Sequence, residues 1–587
     1  MNHPQSTSKG AEQYVRAANL ADVRAGGCKV VHLEGHTIGL FSQGDTVCAV
    51  DNRCPHMGFP LDRGTVKDGV LTCHWHHARF DLVSGGTFDQ FADDVRAFPV
   101  QIRDGEVWVD LAPHAEERAD PRERLQVGLE RNIPLVLGKG VLMQLERDEE
   151  PAEPFRIGLD FGVRYRQAGW GQGLTIHTCM MNLLPHLDVE DRPRALYHGL
   201  SAVAQECAGR PPRFGIRPLP DAAVGLDTLK RWFRQFVEVR DAEGAERCIV
   251  SAVRAGANHQ QMADLLFAAA TDHRYIRIGH VADFTNKALE ALDAAGWDHA
   301  ELVLSSLADG YANADRMEES NAWRHPVDLI RILERAFEDL PAALETGRDR
   351  CGNWSGRETV VAVLLGDDAE AIADALLAAL RDGASEPELA GTVVYAAALR
   401  IARFHTINEF RDWDTALHTF TFANAVHRGL RRAPSPELVR GVFDAGMSIY
   451  LDRFLNVPAA RLPGHEEKIS NPDALLAELP AQLDRQQQVN EAGNLVALYL
   501  SSGGDPSRLL AMLGRVLLRE DRDFHTIQTV EAAFGQWQVL RGTPAATHVL
   551  VAAARYLAAH APTVRAQGQT YQIAQRLHRG ERLYEEE

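Results

Sequence analysis

Two Cys–His pairs constrain the fold of this chain more than any other feature of its sequence. Cys54-x-His56 is followed, after sixteen further residues, by Cys73-x-x-His76. Two thiolates and two imidazoles can hold one tetrahedral zinc ion. The same four side chains can hold a [2Fe–2S] cluster, with both cysteines on one iron and both histidines on the other. The spacing alone leaves these two alternatives open.

The region around the pairs has the pattern of short β-strands. Segments such as KVVHL, TIGLF and TVCAV are rich in β-branched residues and are separated by EGH and QGD turns. The segment VRAFPVQIRDGEVWVDL predicts a hairpin whose two-residue turn is Asp104–Gly105. We therefore predict a small all-β domain over residues 21–112, after an N-terminal tail over residues 1–20.

The remainder of the chain has a helical pattern. Segments such as AEAIADALLAALRDG and ATHVLVAAARYLAAHAPT carry apolar residues at spacings of three and four. The charged, proline-containing segment before them predicts a linker over residues 113–124. The predicted fold class is a multidomain chain, with the small all-β domain followed by a large all-α domain over residues 125–587, built of repeated helical hairpins.

The first region resembles Rieske-type ferredoxin domains, in which Cys-Pro-His-x-Gly and a glycine-containing hairpin precede Cys-x-x-His and a phenylalanine. The matching positions are Cys54, Pro55, His56, Gly58, Leu61, Gly64, Gly69, Cys73, Trp75, His76, Phe80 and Asp81. The resemblance covers roughly residues 20–112 and implies a [2Fe–2S] cluster. It implies that Cys54 and Cys73 hold the inner iron, and that His56 and His76 hold the outer one. The chain departs from the family at His74 and His77, where proline and glycine are usual.

The resemblance also bears on the reduction potential. High-potential members carry an extra disulfide and hydroxyl donors around the cluster, at positions that are Phe59, Trp75, Ala78 and Phe80 here. None of these side chains can form the disulfide or supply that hydrogen bond. With fewer donors to the sulfurs, the reduced cluster is less stabilised, and we predict a potential near the low end of the family range, about −150 mV.

Other familiar redox architectures are missing. Ring-hydroxylating oxygenases combine a Rieske domain with a largely β catalytic domain in which two iron-binding histidines are four residues apart, and this chain has no His-x4-His. It also has no G-x-G-x-x-G after a predicted strand and no P-loop. If the chain binds no flavin or nicotinamide itself, a separate reductase must reduce the cluster.

The helical region contains an internal repeat. Residues 240–270 align with a second copy at an offset near 127, and a third copy begins near residue 501. Each copy contains or precedes a related segment, GHVADF at 279, FHTIN at 404 and FHTIQ at 524, and IHTCM at 176 is a degenerate fourth. A second histidine follows each one by about a helix and a turn, giving the pairs His177 and His198, His280 and His299, His405 and His427, and His525 and His548.

These histidines are candidates for a second metal site. The first member of each pair occupies an equivalent place in its repeat, so several of them could converge on one axis, with Asp283 and Glu409 completing the shell. Iron best suits a site beside a one-electron donor. The alternative is that the repeats reuse histidine as a polar packing residue between helices.

Composition restricts partners and location. The formal charge of −19 argues against nucleic acid or an acidic membrane as the main partner. No signal peptide and no uninterrupted run of 18 apolar residues is visible, so no membrane span is predicted. The eight cysteines are scattered rather than arranged as a disulfide framework, which fits a reducing cytoplasm.

These patterns predict an oxidoreductase of non-standard architecture. The cluster passes electrons to a metal-dependent helical domain that carries out oxidative chemistry on a small organic molecule. The alternative is a ferredoxin fused to a helical protein-docking or redox-sensing domain without catalysis of its own. The patterns do not identify the substrate, the catalytic residues or the oligomeric state.

Overall fold

The computed structural model describes residues 13–112, 120–146, 150–220, 224–464, 468–579 and 581. The chain divides into two compact units. The first unit is Met1–Glu149 with Gln569–Glu587, and the second is Glu150–Gly568. A small β domain lies in the first unit, and the rest of the described chain is helical. The predicted fold class, an all-β domain followed by a large all-α region, is confirmed.

Residues 13–112 form short strands in three antiparallel sheets, with one helix, α1 (Leu20–Gly26), after the first strand. The sheet orders are β1-β10-β9, β2-β3-β4-β8 and β5-β6-β7. The strands are β1 (Tyr14–Asn19), β2 (Cys28–Leu33), β3 (His36–Gln43), β4 (Thr46–Asp51), β5 (Thr65–Lys67), β6 (Val70–Thr72), β7 (Arg79–Asp81), β8 (Ala97–Phe98), β9 (Val100–Arg103) and β10 (Glu106–Asp110).

The predicted hairpin joins β9 to β10. Asp104 and Gly105 have φ angles of 49° and 80°, as a two-residue hairpin turn requires. Val107 and Val109 are fully buried, whereas Glu106 and Trp108 are only partly buried, so one face of β10 contributes to the core of the domain. The turn chemistry and the alternation together set the register of this hairpin.

The edges of the predicted segments differ from the observed elements. β1 lies inside the segment predicted as an N-terminal tail, where it pairs with β10. Residues 1–12 of that tail lie outside the described residues, as do residues 113–119 of the predicted linker. Helix α2 (Pro121–Arg131) begins within the last residues of that linker, where the Asp120 carboxylate accepts a hydrogen bond from the Arg122 N–H. The domain limits themselves stay a prediction.

Helices account for most of the described chain after the β domain. In the first unit, α2 is followed by α3 (Pro134–Glu146), and the two lie against each other. The remaining helices are α4 (Ala152–Arg164), α5 (Gln172–Leu183), α6 (Arg192–Cys207), α7 (Leu226–Glu238), α8 (Ala242–Arg254), α9 (His259–Ala270), α10 (His280–Ala295), α11 (Ala300–Ser305), α12 (Ala308–Ala312), α13 (Leu329–Gly347), α14 (Arg357–Leu364), α15 (Ala369–Arg381), α16 (Glu386–Ala402), α17 (Phe410–Arg432), α18 (Pro436–Leu451), α19 (Pro472–Gln482), α20 (Val489–Ser501), α21 (Pro506–Leu518), α22 (Phe524–Leu540), α23 (Pro544–Ala559) and α24 (Ala566–His578).

Helix α10 is the central element of the second unit. It packs against α5, α17 and, through side chains at its polar positions, α22. Nearly all of its residues are buried, including the polar residues Asp283, Lys287 and Glu290. A helix that is buried on most sides lies inside a domain rather than on its surface. Among the described helices, none combines the length and the apolar character that crossing a membrane would require.

Candidate metal centres

Two similar loops carry the Cys–His pairs. The Cys54 N–H donates to the Phe59 carbonyl at 2.8 Å, and the Cys73 N–H donates to the Ala78 carbonyl at 2.8 Å. Each loop therefore closes five residues after its cysteine. The fourth residue after each cysteine has a positive φ, 81° at Gly58 and 61° at His77. Because the loops match, the unusual His77 occupies the position that glycine fills in the other loop.

The sulfurs of Cys54 and Cys73 lie in a buried space where several N–H groups point at them. Cys54 and Cys73 are each 1% exposed. The Cys54 thiol donates to Cys73, and the N–H groups of Trp75 and His76 also point at the Cys73 sulfur, so its pKa falls to about 6. N–H groups of His56 and Met57 point at the Cys54 sulfur in the same way. Such donors stabilise metal-bound thiolates.

The two imidazoles lie closer to the surface. The ring centroids of His56 and His76 are 4.8 Å apart, with His56 half-buried and His76 exposed. Burial, with the nearby His76 and Lys139, lowers the pKa of His56 to about 4, and its buried Nδ1 has no hydrogen-bond partner among the described residues. A neutral imidazole whose ring nitrogen accepts no hydrogen bond can bind a metal ion through that nitrogen. Two buried sulfurs and two imidazoles nearer the surface fit a [2Fe–2S] cluster in which the cysteines bind one iron and the histidines bind the other.

A buried cation lies beside the first loop, and the sequence patterns missed it. Lys139 on α3 donates to the Pro55 carbonyl, and it also forms an ion pair with Asp93 at 2.7 Å. Its side chain is 7% exposed, and Arg124 on α2 pairs with the same aspartate at 2.8 Å. The available signal is a single lysine inside the apolar run IPLVLGKGVLMQL. This helix therefore places a positive charge next to the cluster loop.

Three histidines converge in the second unit. His280 is the first residue of α10, His418 lies in α17 and His525 is the second residue of α22. One ring nitrogen from each lies within 4.8 Å of the other two. The His418 ring is centred 4.8 Å from the His280 ring and 4.8 Å from the His525 ring. We call these residues the three-histidine cluster.

The surroundings of the three-histidine cluster favour neutral imidazole rings, which can bind a cation. Burial, together with the neighbouring histidines, lowers the pKa of His280 to about 3 and that of His418 to about 4. Both rings are therefore neutral at neutral pH. One nitrogen of His418 donates to the Asp414 carbonyl, whereas its buried Nε2 meets no hydrogen-bond partner in the part of the chain that the structure describes. A backbone carbonyl that fixes one ring nitrogen leaves the other directed at a metal.

A column of buried polar residues continues from the cluster along α10 and α22. Asp283 and Gln528, each three residues after a cluster histidine, are hydrogen-bonded to each other. Burial raises the pKa of Asp283 to about 7, and none of the described residues hydrogen-bonds its Oδ1. Further along, Lys287 pairs with Glu290 at 2.9 Å and with Glu531 at 2.6 Å. We call this the polar column.

The other candidate residues do not join the three-histidine cluster. Asp283 lies one turn beyond it and is not one of its members. The remaining predicted ligands each have other partners. Four histidines are hydrogen-bonded elsewhere: His177 to the Phe155 carbonyl at 2.9 Å, His299 to Asp160 at 2.8 Å, His427 to Gln536 at 3.0 Å and His548 to Tyr395 at 2.7 Å. His198 is buried near Leu518 and Gln567, His405 accepts a hydrogen bond from the Ile407 N–H, and Glu409 caps α17.

The repeat pattern grouped His405 with two of the cluster histidines and did not single out His418. Phe404 and His405 follow α16, the second helix of their repeat, whereas Phe524 and His525 begin α22. The two FHTI segments therefore lie at structurally different places, and only His525 faces the cluster. His418 lies in the body of α17 and has no counterpart in the repeat. Its sequence gave no signal beyond being a buried-face histidine in a helix.

A family model described as "Rieske [2Fe-2S] domain" matches residues 13–99. The chain is 36% identical over 94 residues to the vanillate O-demethylase oxygenase subunit of Pseudomonas sp. (strain ATCC 19151), covering 13% of this chain and 28% of that one. It is 32% identical over 75 residues to the anthranilate 1,2-dioxygenase ferredoxin subunit of Burkholderia cepacia, covering 13% and 69%. No recognised family matches the rest of the chain.

Solved structures resemble the same region. The ferredoxin of carbazole 1,9a-dioxygenase from Nocardioides aromaticivorans IC177 is 28% identical, with 16% of this chain and 96% of that chain covered and a TM-score of 0.16. The chain spans about a quarter of the length of the oxygenase subunits that it matches. These similarities concern the N-terminal domain.

Proposed function

The chain belongs to the Rieske [2Fe–2S] proteins through residues 13–99, and from this premise we propose that it is an oxidoreductase with a second, mononuclear iron site. His280, His418 and His525 hold that iron, and the Rieske domain supplies it with single electrons. The observation that carries the proposal is the convergence of three imidazole nitrogens within 4.8 Å at a partly buried place among three helices. The substrate is a small organic molecule.

The ligand set suits a reactive rather than a purely structural metal. Three imidazoles from three different helices give a rigid site and leave coordination positions open. Structural sites are usually closed by four protein ligands. Iron is the preferred occupant because the chain carries a one-electron donor. In this scheme the bound iron supplies the oxidative chemistry.

The surrounding side chains hold and shield the site. The His280 ring stacks on Phe284 with centroids 5.3 Å apart, and Phe524 lies 5.8 Å from the same ring. These rings limit the access of water to the ligands. The Asp283–Gln528 pair fixes the turns of α10 and α22 that carry two of the histidines. The histidines therefore need little reorganisation to bind a metal.

The proposal requires an external source of electrons. The relatives named above include an oxygenase subunit and a ferredoxin subunit, which are components of larger systems. By analogy, a separate reductase reduces the [2Fe–2S] cluster of this chain. His76 is exposed, which supports the approach of a partner to the proposed outer iron.

Metal analysis tests the second site. We expect the full-length protein, loaded with ferrous iron and desalted, to contain three iron atoms per chain, because the cluster accounts for two. His418→Ala should return the content to two and leave the cluster spectrum intact. It should also abolish oxygen uptake in the presence of a reductant.

The matched control is His405→Ala. His405 is a histidine of the same repeat that lies outside the three-histidine cluster, so its replacement should leave three iron atoms per chain. An iron content of two in the wild-type protein would contradict the proposal. Equal losses in the two variants would do the same.

A further inference from the structure

The polar column buries four ionisable side chains inside the second unit. Asp283 and Lys287 are each 1% exposed, whereas Glu531 is 6% and Glu290 is 8% exposed. Buried ion pairs are often no more stabilising than well-packed apolar residues of similar volume. Stability alone therefore gives no reason for placing these charges in the interior.

One end of the polar column lies beside the three-histidine cluster. Asp283 is three residues after His280 on α10, and Gln528 is three residues after His525 on α22. Side chains three residues apart on a helix lie on the same face, with Cβ atoms about 5–6 Å apart. The hydrogen bond from Gln528 to Asp283 joins the two helices at this level. Asp283 therefore lies one helical turn from two of the three histidines.

Asp283 has one carboxylate oxygen available for proton transfer. Gln528 donates to its Oδ2, whereas its Oδ1 is buried and receives no hydrogen bond from any residue that the structure describes. Burial raises the pKa of Asp283 to about 7, although the nearby charge of Lys287 lowers it. The carboxyl group can therefore hold a proton or release it near neutral pH.

The other end of the polar column reaches solvent. Lys287 pairs with Glu531 at 2.6 Å and with Glu290 at 2.9 Å. The Arg428 guanidinium donates to Glu290 at 3.3 Å, and its side chain is 35% exposed. Positions 283, 287 and 290 share one face of α10, so acidic and basic groups follow one another from the surface to Asp283.

The proposed reaction needs protons as well as electrons. Insertion of one atom of O2 into a C–H bond of an organic substrate follows RH + O2 + 2e− + 2H+ → ROH + H2O. The C–H and O–O bonds break, C–O and O–H bonds form, and the electrons come singly from the Rieske cluster. Because aromatic rings shield the three-histidine cluster from water, the protons need a route through the protein.

We propose that Asp283 donates protons to the reaction at the three-histidine cluster, and that the polar column resupplies them from solvent at Arg428. This inference rests on the proposed function, because it concerns the same site. It adds a proton donor and a route that the three histidines do not provide.

Asp283→Asn tests the donor. The amide has nearly the same shape and can still accept the hydrogen bond from Gln528, but it has no acidic proton to give. We expect the full-length variant, loaded with the cluster and with ferrous iron, to keep three iron atoms per chain and to consume oxygen about a hundredfold more slowly in the presence of a reductant. The ratio of its rates in H2O and D2O should also rise, because proton arrival becomes the slow step. A purely structural defect would not change this ratio.

The matched control is Asp452→Asn. Burial raises the pKa of Asp452 to about 7 as well, but its carboxylate accepts a hydrogen bond from Thr419 and lies outside the polar column. Its replacement should leave both the rate of oxygen uptake and the isotope ratio unchanged. Equal losses in the two aspartate variants, or a wild-type rate in Asp283→Asn, would overturn the proposal.

A double variant tests the route. Lys287→Met combined with Glu531→Gln removes both charges of a buried pair together, and Glu290 keeps its ion pair with Arg428. We expect oxygen uptake as slow as in Asp283→Asn, and a wild-type rate would contradict resupply through the polar column. Three iron atoms per chain with unchanged rates in all variants would overturn this inference alone. Only two iron atoms in the wild-type protein would overturn the proposed function and this inference with it.

Discussion

At the scale of single residues, His77 shows how a small departure from a family pattern becomes a physical cost. Its φ of 61° is the angle that Gly58 adopts at the matching place in the other loop. A residue with a side chain is destabilised by about 1–2 kcal/mol in this backbone conformation. Replacing it with glycine removes that strain, but part of the gain is offset because glycine has a larger conformational entropy in the unfolded chain. We expect His77→Gly to stabilise the domain by about 1 kcal/mol, measured by chemical unfolding followed at the cluster absorbance.

The control for this change is His74→Gly in the same loop. His74 is also exposed, but its φ is not in the left-handed region. A glycine there relieves no backbone strain, so His74→Gly should not stabilise the domain. If both variants are destabilised equally, the strain at His77 does not matter for stability.

Lys139 sets a second expectation at this scale. Its ammonium group is buried beside the Pro55 carbonyl, and a positive charge favours the reduced, more negative cluster. We expect Lys139→Met to lower the midpoint potential by tens of millivolts, with about 59 mV for each tenfold change in a one-electron equilibrium. Film voltammetry would measure the shift, and the exposed Lys67→Met should leave the potential where it was.

Residue identity carried enough information for the first centre and not for the second. The predicted ligands Cys54, His56, Cys73 and His76 lie in two short sequence motifs, so a local pattern is enough to find them. The histidines of the three-histidine cluster come from helices far apart in the chain, and only the packing of α10, α17 and α22 brings them together. His280 and His525 were identified through the repeat, whereas nothing local marked His418.

At the scale of elements, α2 and α3 belong with the β domain in the first compact unit. The predicted boundary at residues 113–124 would separate them from it. We expect residues 1–116 expressed alone to bind the cluster but to show a lower midpoint potential than residues 1–149, because only the longer fragment contains Lys139. Voltammetry of the two fragments makes the comparison.

Replacing Lys139 in the longer fragment provides the control for this comparison. Residues 1–149 with Lys139→Met should have the lower potential of residues 1–116. If the two unmodified fragments have the same potential, α3 does not influence the cluster. The element types were predictable from periodicity. The grouping of α3 with the strands involves long-range contacts, such as the buried ion pair between Lys139 and Asp93, which no periodicity reveals.

At the scale of the whole molecule, buried titratable groups make stability depend on pH. Burial lowers the pKa of five histidines of the second unit to about 3 or 4, and it raises the pKa of three aspartates to about 6 or 7: His177, His198, His280, His418, His427, Asp283, Asp444 and Asp452. For the histidines, the unfolded chain binds more protons between about pH 4 and 6.5, so their contribution is complete above that window and is lost on acidification. For the aspartates the folded chain binds more protons, and stability is lost as the pH rises.

The histidines outnumber the aspartates, so we expect the net stability of the helices to fall as the pH drops from 6.5 to about 4. Thermal unfolding followed by circular dichroism at 222 nm should show a lower Tm at the acid end. His427→Gln should weaken the dependence, because this buried ring lies outside the three-histidine cluster, and the exposed His259→Gln should not. A Tm that is highest near pH 4 would contradict this account.

The polar column has a consequence for how this sequence can change over generations. Removing one member of a buried ion pair leaves its partner charged and unsatisfied, at a cost of about 3–5 kcal/mol, whereas replacing both by apolar residues can be neutral. Single substitutions at Lys287 or Glu531 are therefore selected against, although a joint replacement is tolerable. In descendants of a common ancestor, we expect these positions to vary as a correlated group, and Asp283 to vary with Gln528 rather than with its neighbours in the chain.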